Sequence, residues 1–494
     1  MNSRPHIVIF NPDQFRGDVL GHMGNPAAAT PVLDDLAATE AVSFSRAFCQ
    51  NTVCTPSRCS FMTGWYPHVR GHRTMYHMLH PERGEPALLA KLKESGYHVW
   101  WGGKNDLIPG QMKDQSFARD VRYRPDPPVH PAANLHGCKD WRGEPGGDNW
   151  YSFHAGRLDP PDGEYRWRDR DWAMIEGAIE HIRTAPDDQP LCIYLPINYP
   201  HPPYGVEEPF YSMVAPDEIP ARQPSPDWST KPSILGGIAG RQGLQNWSED
   251  RWRRLRATYY GQCARVDHQL GLLIQAMRER GMWDDTALFF FSDHGDFTGD
   301  YGLVEKTQNT FEDCLSRVPL LIKPPAGVEV RPGVRDALVE LVDFPATVYE
   351  LTGIEPGYTH FGRSLLDVVA GRADEHRDAV FCEGGRLHGE THCMELESTS
   401  SQSPDGLYWP RVNLQQSEGP EHTKAVMCRT GRYKYVRRLY ESDEFYDLVE
   451  DPGEMHNRID DPALAEVRAQ LSDRMLTFFL ETGDVVPFET DRRH

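Results

Sequence analysis

The sequence predicts an α/β fold: a large mixed, mostly parallel sheet sandwiched by helices, with a small C-terminal α+β subdomain. Three observations predict it. Short apolar runs alternate with amphipathic helical stretches along most of the chain. A length of 494 residues with 42 Gly and 40 Pro suits one large domain with a satellite and many loops. After about residue 375 the texture changes to hairpin signals and one closing helix, which divides the chain into 1–375 and 376–494.

Taken in order, His6 to Phe10 (HIVIF) reads as a buried strand closed by Asn11-Pro12. Helices are predicted over Pro31 to Ala38 and Ala87 to Ser95; Gly96 ends the second, and a strand follows from Tyr97 through Trp101. Residues 109–168, rich in Pro, Gly, His and charge, predict a long excursion that serves as lid or insertion. A helix over Asp171 to Arg183 leads into a strand over Leu191 to Ile197, and 202–247 reads as loop. Glu249 to Arg280 predicts a long helix with Val266, Leu270, Leu273, Ile274 and Met277 on one face. Gly281 stops it, and Thr286 to Phe291 and Val318 to Ile322 read as strands. Ala425 to Arg429 and Tyr433 to Arg438 flank Thr430-Gly431-Arg432 as a hairpin, and Pro462 to Leu480 is a closing amphipathic helix.

Lys plus Arg total 52 and Asp plus Glu 73, a net charge of −21. Such a field argues against a nucleic-acid or anionic-membrane partner. A small anionic substrate remains compatible, provided its cations are gathered in one pocket. No apolar run approaches the roughly 20 residues that span a bilayer. The N-terminus passes directly into an apolar strand, with no basic segment and long apolar core before it. The ten cysteines are scattered without a CxxC pair, so neither a disulfide framework nor a zinc ribbon is indicated. A cytoplasmic location is the expectation.

Asp13-Gln14 follows the first strand, and Asp293-His294-Gly295-Asp296 follows Thr286 to Phe291. Open α/β sheets bind ligands beyond the carboxyl ends of their strands. Two aspartates, an amide oxygen and an imidazole make a candidate divalent-cation site. Each stretch alone reads equally as a turn, cap or loop. Cys54-Thr55-Pro56-Ser57-Arg58 sets a thiol four residues before an arginine, a pattern that a structural thiol also produces.

Together these stretches resemble the type I sulfatase family, within the alkaline phosphatase superfamily. The family signature C-x-P-S-R is matched by Cys54, Pro56, Ser57 and Arg58, and Thr63-Gly64 with Pro67-His68 resembles its continuation. Its DHG strand end is matched by Asp293, His294 and Gly295, with Gly302 and Lys306 beyond. Its Gly-Lys is matched by Gly103-Lys104, and its Pro-His-x-Pro loop by Pro200-His201-Pro202-Pro203. Glu444 to Glu454 resembles its C-terminal segment.

The resemblance implies an alkaline phosphatase-like fold and hydrolysis of sulfate esters. It implies that a maturation enzyme converts Cys54 to formylglycine. One hydroxyl of the hydrated aldehyde then attacks sulfur, and the second loses its proton to release sulfate, with Arg58 holding the diol. It implies one divalent cation on Asp13, Asp293 and His294, joined by Gln14 and the residue-54 side chain. Gln14 stands where the family often has a second aspartate, which removes one negative charge. Ca²⁺ is the expected ion, with Mn²⁺ and Mg²⁺ as alternatives. Lys104 and Lys306 match cations that bind the sulfate oxygens, and His201 a histidine at the ester or its leaving oxygen.

One position departs. Asp106 stands where the family often has a histidine thought to assist hemiacetal breakdown. Asp106 either takes that proton, a task open also to His72 or His77, or orients Lys104, or touches substrate. Asp106, Asn105 and His72 are the substrate-side candidates. The phosphonate monoester hydrolase branch departs here too, which keeps a phosphorus ester as the alternative substrate. A sulfated carbohydrate or small organic sulfate is the expected one. Trp141, Trp150, Tyr151, Tyr165 and Trp167 either stack on its rings or anchor their loop. The intact Cys54, Arg58, Lys104, His201 and Lys306 set speaks against a silent binding protein. Homo-oligomerisation is left open.

Overall fold

A computed structural model describes residues 4–110, 120–123, 129, 140–161, 166–398 and 401–493. The N-terminal apolar run extends through the Asn-Pro pair as β1 (His6–Asp13). The large sheet continues with β2 (Val42–Phe48), β3 (His98–Gly102) and β4 (Asp120–Tyr123). A two-stranded ribbon pairs β5 (His154–Leu158) with β7 (Tyr204–Glu207), on either side of β6 (Leu191–Pro200) in the chain. Then come β8 (Thr286–Phe291), β9 (Arg317–Val318), β10 (Leu320–Lys323) and β11 (Gly333–Glu340). The strand order is β11-β2-β10-β8-β1-β6-β3-β4, with β9 on β2.

The sheet is mixed as expected. β8, β1, β6 and β3 run parallel side by side, while β10 is antiparallel to both β8 and β2. The single strand expected over Val318 to Ile322 is broken at Pro319, which has no N–H for a ladder, into β9 and β10. Alternation along β1 builds two cores. Ile7 and Ile9 point into one with Phe289, Phe291 and Phe61; Val8 and Phe10 point into the other with Leu288, Phe290 and the long helix Glu249–Glu279.

The segment 202–247, read as loop, contains β7 and a helix over Ser233–Gln242. Three glycines inside that helix, Gly236, Gly237 and Gly240, mask its periodicity, yet Ile234, Leu235, Ile238 and Ala239 are buried. A second, antiparallel sheet joins β12 (Val380–Gly384), β13 (Ala425–Arg429), β14 (Tyr433–Arg438) and β15 (Glu444–Asp447) in that order. The predicted hairpin is β13–β14. The closing helix begins as a 3-10 turn at Pro462–Leu464 and is α-helical over Ala465–Thr482, stacking Phe478 on Phe381 at 3.9 Å. Val380, Cys382, Met427 and Val436 pack into the core of the large sheet, which brings the loops between β12 and β13 up against it. Among the described residues no helix is long and apolar enough to cross a membrane, and nine cysteines are free thiols.

Candidate active site

Four neighbouring parallel strands end at one edge of the sheet, and each delivers a predicted residue there. β1 ends on Asp13; β8 is followed by Asp293 and His294, β3 by Lys104 and β6 by His201. The β1–β8 register pairs His6 with Thr286 through Phe10 with Phe290. Carried three residues further, it sets Asp293 level with Asp13. Two glycines permit the approach. A Cβ on Gly295 would lie 2.0 Å from the Cys314 carbonyl oxygen, and one on Gly103 would lie 2.1 Å from that of Pro196. Gly103 also holds φ at +109°, after which the Lys104 N–H donates to the Pro196 carbonyl at 2.8 Å.

Cys54 opens the wholly buried helix Cys54–Thr63. Pro56 sits in its first turn, where an N–H has no intrahelical partner to lose. Ser57 Oγ donates to the Asp293 carbonyl at 2.6 Å and fixes the helix start to the β8 end. One helical turn on, Arg58 shares the face of Cys54. Its guanidinium bridges both carboxylates: Nε donates to Asp293 Oδ2 at 2.9 Å and a terminal nitrogen to Asp13 Oδ2 at 3.0 Å.

Asp13, Cys54, Asp293 and His294 present donor atoms within 4.8 Å of one another, all buried. Cys54 Sγ lies 3.2 Å from His294 Nε2, 3.5 Å from Asp13 Oδ1 and 3.5 Å from Lys104 Nζ. His294 Nδ1 lies 2.9 Å from the Gly295 carbonyl, which can only accept, so Nδ1 carries the hydrogen and the Nε2 lone pair faces the cluster. Burial keeps this imidazole below its usual pKa and therefore neutral. Two carboxylates and an oriented imidazole nitrogen fit a divalent cation.

The cations are equally focused. Burial opposes the charge on Asp13, but Lys104, His201, Arg58 and Lys306 hold it well below the usual carboxylate range. Burial, then Asp13, push the Cys54 thiol well up, so it is protonated and a weak nucleophile as it stands. Lys104 Nζ is paired with Asp13 and lies 3.0 Å from Asp106 Oδ2. Lys306 is buried; its Nζ donates to Gln14 Oε1 at 2.7 Å and to His201 Nε2 at 3.0 Å. His201 Nδ1 donates to the Pro202 carbonyl at 2.6 Å, which leaves Nε2 as the acceptor.

Gln14 adopts a left-handed φ of +69°, rare for a residue with a Cβ. Its N–H donates to Asp293 Oδ1 at 3.1 Å, its amide oxygen faces Lys306, and its amide nitrogen donates to Asp296. The remaining substrate-side candidates lie differently. Asn105 staples its own loop, donating to the Ile108 carbonyl at 2.8 Å and accepting from the Leu107 and Ile108 N–H groups. His72 is held by the His77 carbonyl at 3.0 Å and by Glu85 at 3.4 Å, and His77 Nδ1 bonds Thr74 Oγ1 at 2.6 Å. Of the aromatic residues, Arg142 lies over Trp150 at 3.6 Å, Tyr151 bonds the Pro404 carbonyl and stacks on Trp409, and Trp167 donates to Asp169 at 3.1 Å. Trp141 packs against the core, so these rings anchor the excursion; Tyr165 lies outside the described residues.

Sequence reasoning missed a support behind Lys306. Glu305 Oε1 lies 3.3 Å from Lys306 Nζ, and Glu305 Oε2 accepts from Arg411 Nε at 2.9 Å. All three side chains are buried. Glu305 adjoins a predicted residue, but Arg411 comes from the C-terminal region with no motif to mark it.

A large mixed α/β sheet whose central parallel strands carry the candidate groups at their carboxyl ends, with a small antiparallel sheet behind it, is an alkaline phosphatase-like fold. A sulfatase family model matches residues 5–354. The chain belongs to the sulfatase family and is an enzyme, a sulfuric ester hydrolase. It is 26% identical to the multifunctional alkaline phosphatase superfamily protein PehA of Trinickia caryophylli, over 98% of this chain and 96% of that one. It is 25% identical to an arylsulfatase of Clostridium perfringens, over 92% and 90% of the two chains. The fold is similar to the crystal structure of a phosphonate monoester hydrolase of Agrobacterium radiobacter, with a TM-score of 0.77, 21% identity, and 97% and 96% of the chains covered.

Proposed function

We propose that this enzyme hydrolyses the sulfate ester of a carbohydrate or small organic alcohol, using formylglycine formed from Cys54. The observation that carries the reading is the position of Cys54 Sγ, within 3.5 Å of His294, Asp13 and Lys104 at the start of its helix. A hydrated aldehyde there supplies a hydroxyl nucleophile, and a second hydroxyl whose ionisation releases sulfate without water attacking sulfur. A divalent cation, Ca²⁺ in our reading, supplies the charge that ionises the nucleophile when bound by Asp13, Asp293, His294 and the Gln14 amide.

The chain's own residues do the rest. Arg58 orients both carboxylates and so sets the direction of their lone pairs. Lys104 Nζ lies 3.5 Å from Cys54 Sγ and the Lys306 charge also acts on that thiol, so the two hold the transferred oxygens as their charge grows. The Lys306–His201 contact places a proton between ammonium and imidazole, from where it passes to the departing alkoxide. Lys104→Ala and Lys306→Ala are each expected to lower kcat/KM on the order of 10²-fold or more. A lysine that only solvates the surface loses almost nothing on truncation.

Asp106 orients Lys104 in this reading, through the 3.0 Å contact. Asp106→Asn is expected to raise KM without a burst. A burst of about one alcohol per site followed by stalled turnover assigns it the hemiacetal proton instead.

A second reading, a phosphonate monoester or phosphodiester hydrolase using the same aldehyde, is favoured by Gln14 and Asp106, where the sulfatase pattern departs. Paired assays with an aryl sulfate, an aryl phosphodiester, a phosphonate monoester and a sulfated sugar separate the two. Higher kcat/KM on the sulfates supports the first reading, and higher kcat/KM on the phosphorus esters replaces it with the second.

A further inference from the structure

We propose that His388, Glu418 and His422 form a zinc-binding site in the C-terminal region, distinct from the Cys54 cluster. Two turns build it. Thr423 and Arg386 form a parallel bridge, and the Arg386 N–H donates to the His422 carbonyl at 3.0 Å. This sets the turn that follows β12 beside the 3-10 turn Pro420–His422. Glu418 and His422 stand four residues apart at that turn.

The donor set suits the ion. Glu418 Oε1 takes Arg386 at 3.2 Å; Oε2 accepts the Gly389 N–H at 3.4 Å and faces His388 Nδ1 at 3.2 Å and His422 Nε2 at 3.9 Å. The three donor atoms lie within 4.8 Å of one another. Tetrahedral zinc with bonds of about 2.0–2.1 Å has donor–donor edges of about 3.3 Å. The first separation already fits, and a small rotation of the exposed Glu418 closes the second. Two imidazoles and one carboxylate select zinc over Ca²⁺ or Mg²⁺, which prefer oxygen-rich shells.

A hydrogen bond alone accounts for His388 beside Glu418. It leaves His422 unexplained: the residue is 0% exposed, its ring has a backbone contact with Ser417, and neither ring nitrogen makes a well-formed hydrogen bond. Such a buried imidazole is costly to leave unpaired and calls for a water or an ion. His388 is held for the task, its ring stacked on Tyr440 at 3.6 Å and its backbone N–H donating to the Tyr440 hydroxyl at 3.0 Å.

The ion would clamp two turns that back the active site. Asn309, three residues beyond Lys306, donates to the Glu421 and Thr423 carbonyls at 2.9 and 3.1 Å. The proposal does not depend on the sulfate-ester reading, because its test reads metal and not turnover.

The test is equilibrium dialysis of the full chain, stripped with chelator, against micromolar Zn²⁺, with metal counted by mass spectrometry. Asp293→Asn serves as background, since it removes the ion expected at the Cys54 cluster. In that background one zinc per chain is expected, and His388→Ala and Glu418→Gln should each weaken its binding at least tenfold. Both altered side chains are half-exposed, so the fold should tolerate the changes. Co²⁺ should give a tetrahedral visible absorption band that His422→Gln and His388→Ala both remove. Failure of the background protein to bind zinc, or retention of the same affinity by His388→Ala and Glu418→Gln, overturns the proposal.

Discussion

Cys54→Ala is expected to abolish turnover, by a factor on the order of 10⁴ or more, while the protein remains folded. Removing a covalent nucleophile leaves only the binding and electrostatic parts of catalysis. The fold should tolerate the change because Sγ fills a small buried space and carries no ion pair that holds the helix. The helix start is secured elsewhere, by Ser57 on the Asp293 carbonyl and by Asn51 Oδ1 on the Val53 N–H at 2.9 Å. Thermal melting should therefore stay close to wild type, which separates lost chemistry from lost structure. Peptide mass analysis of the active wild type should show sulfur and two hydrogens at residue 54 replaced by one oxygen. A fully active preparation carrying only the plain thiol would sink the formylglycine mechanism.

Asp293→Ala is expected to remove one equivalent of divalent metal and to lower kcat on the order of 10³-fold or more, with a loss of stability. The carboxylate has two duties. Its charge is half of the pair that a hard cation requires. It also receives Arg58 at 2.9 Å, the Gln14 N–H at 3.1 Å and the His294 N–H at 3.0 Å, all buried. Truncation leaves the Arg58 guanidinium with Asp13 alone, and breaking a buried pair from one side costs about 3–5 kcal/mol. Asp293→Asn separates the duties. Its amide oxygen can still accept from Arg58, so most stability should return, while metal content and activity stay low. Wild-type metal content and activity in either variant would show that the ion is held elsewhere.

The sequence by itself determined the α/β class, because periodicity is a local property. The run TALFFF is too short and too apolar for anything but a doubly buried strand, and it is β8 to the residue. The shared face of Cys54 and Arg58 was also legible, since it needs only the four-residue pitch of one helix, whereas the other candidates were marked by the family resemblance. What escaped it were contacts that no local pattern encodes. Pro319 splits an apparent single strand so that β10 can lie antiparallel between β8 and β2, a choice made by sheet neighbours. Asn105 looked free for substrate beside Lys104, yet its amide folds its own loop. Arg411 reaches Lys306 through Glu305 only because the C-terminal sheet packs on the large one. The level alignment of Asp13 with Asp293 likewise depends on β1 and β8 becoming partners in one register. Strand ends meet at a sheet edge through long-range hydrogen bonds and burial, and those forces act between residues that the sequence keeps far apart.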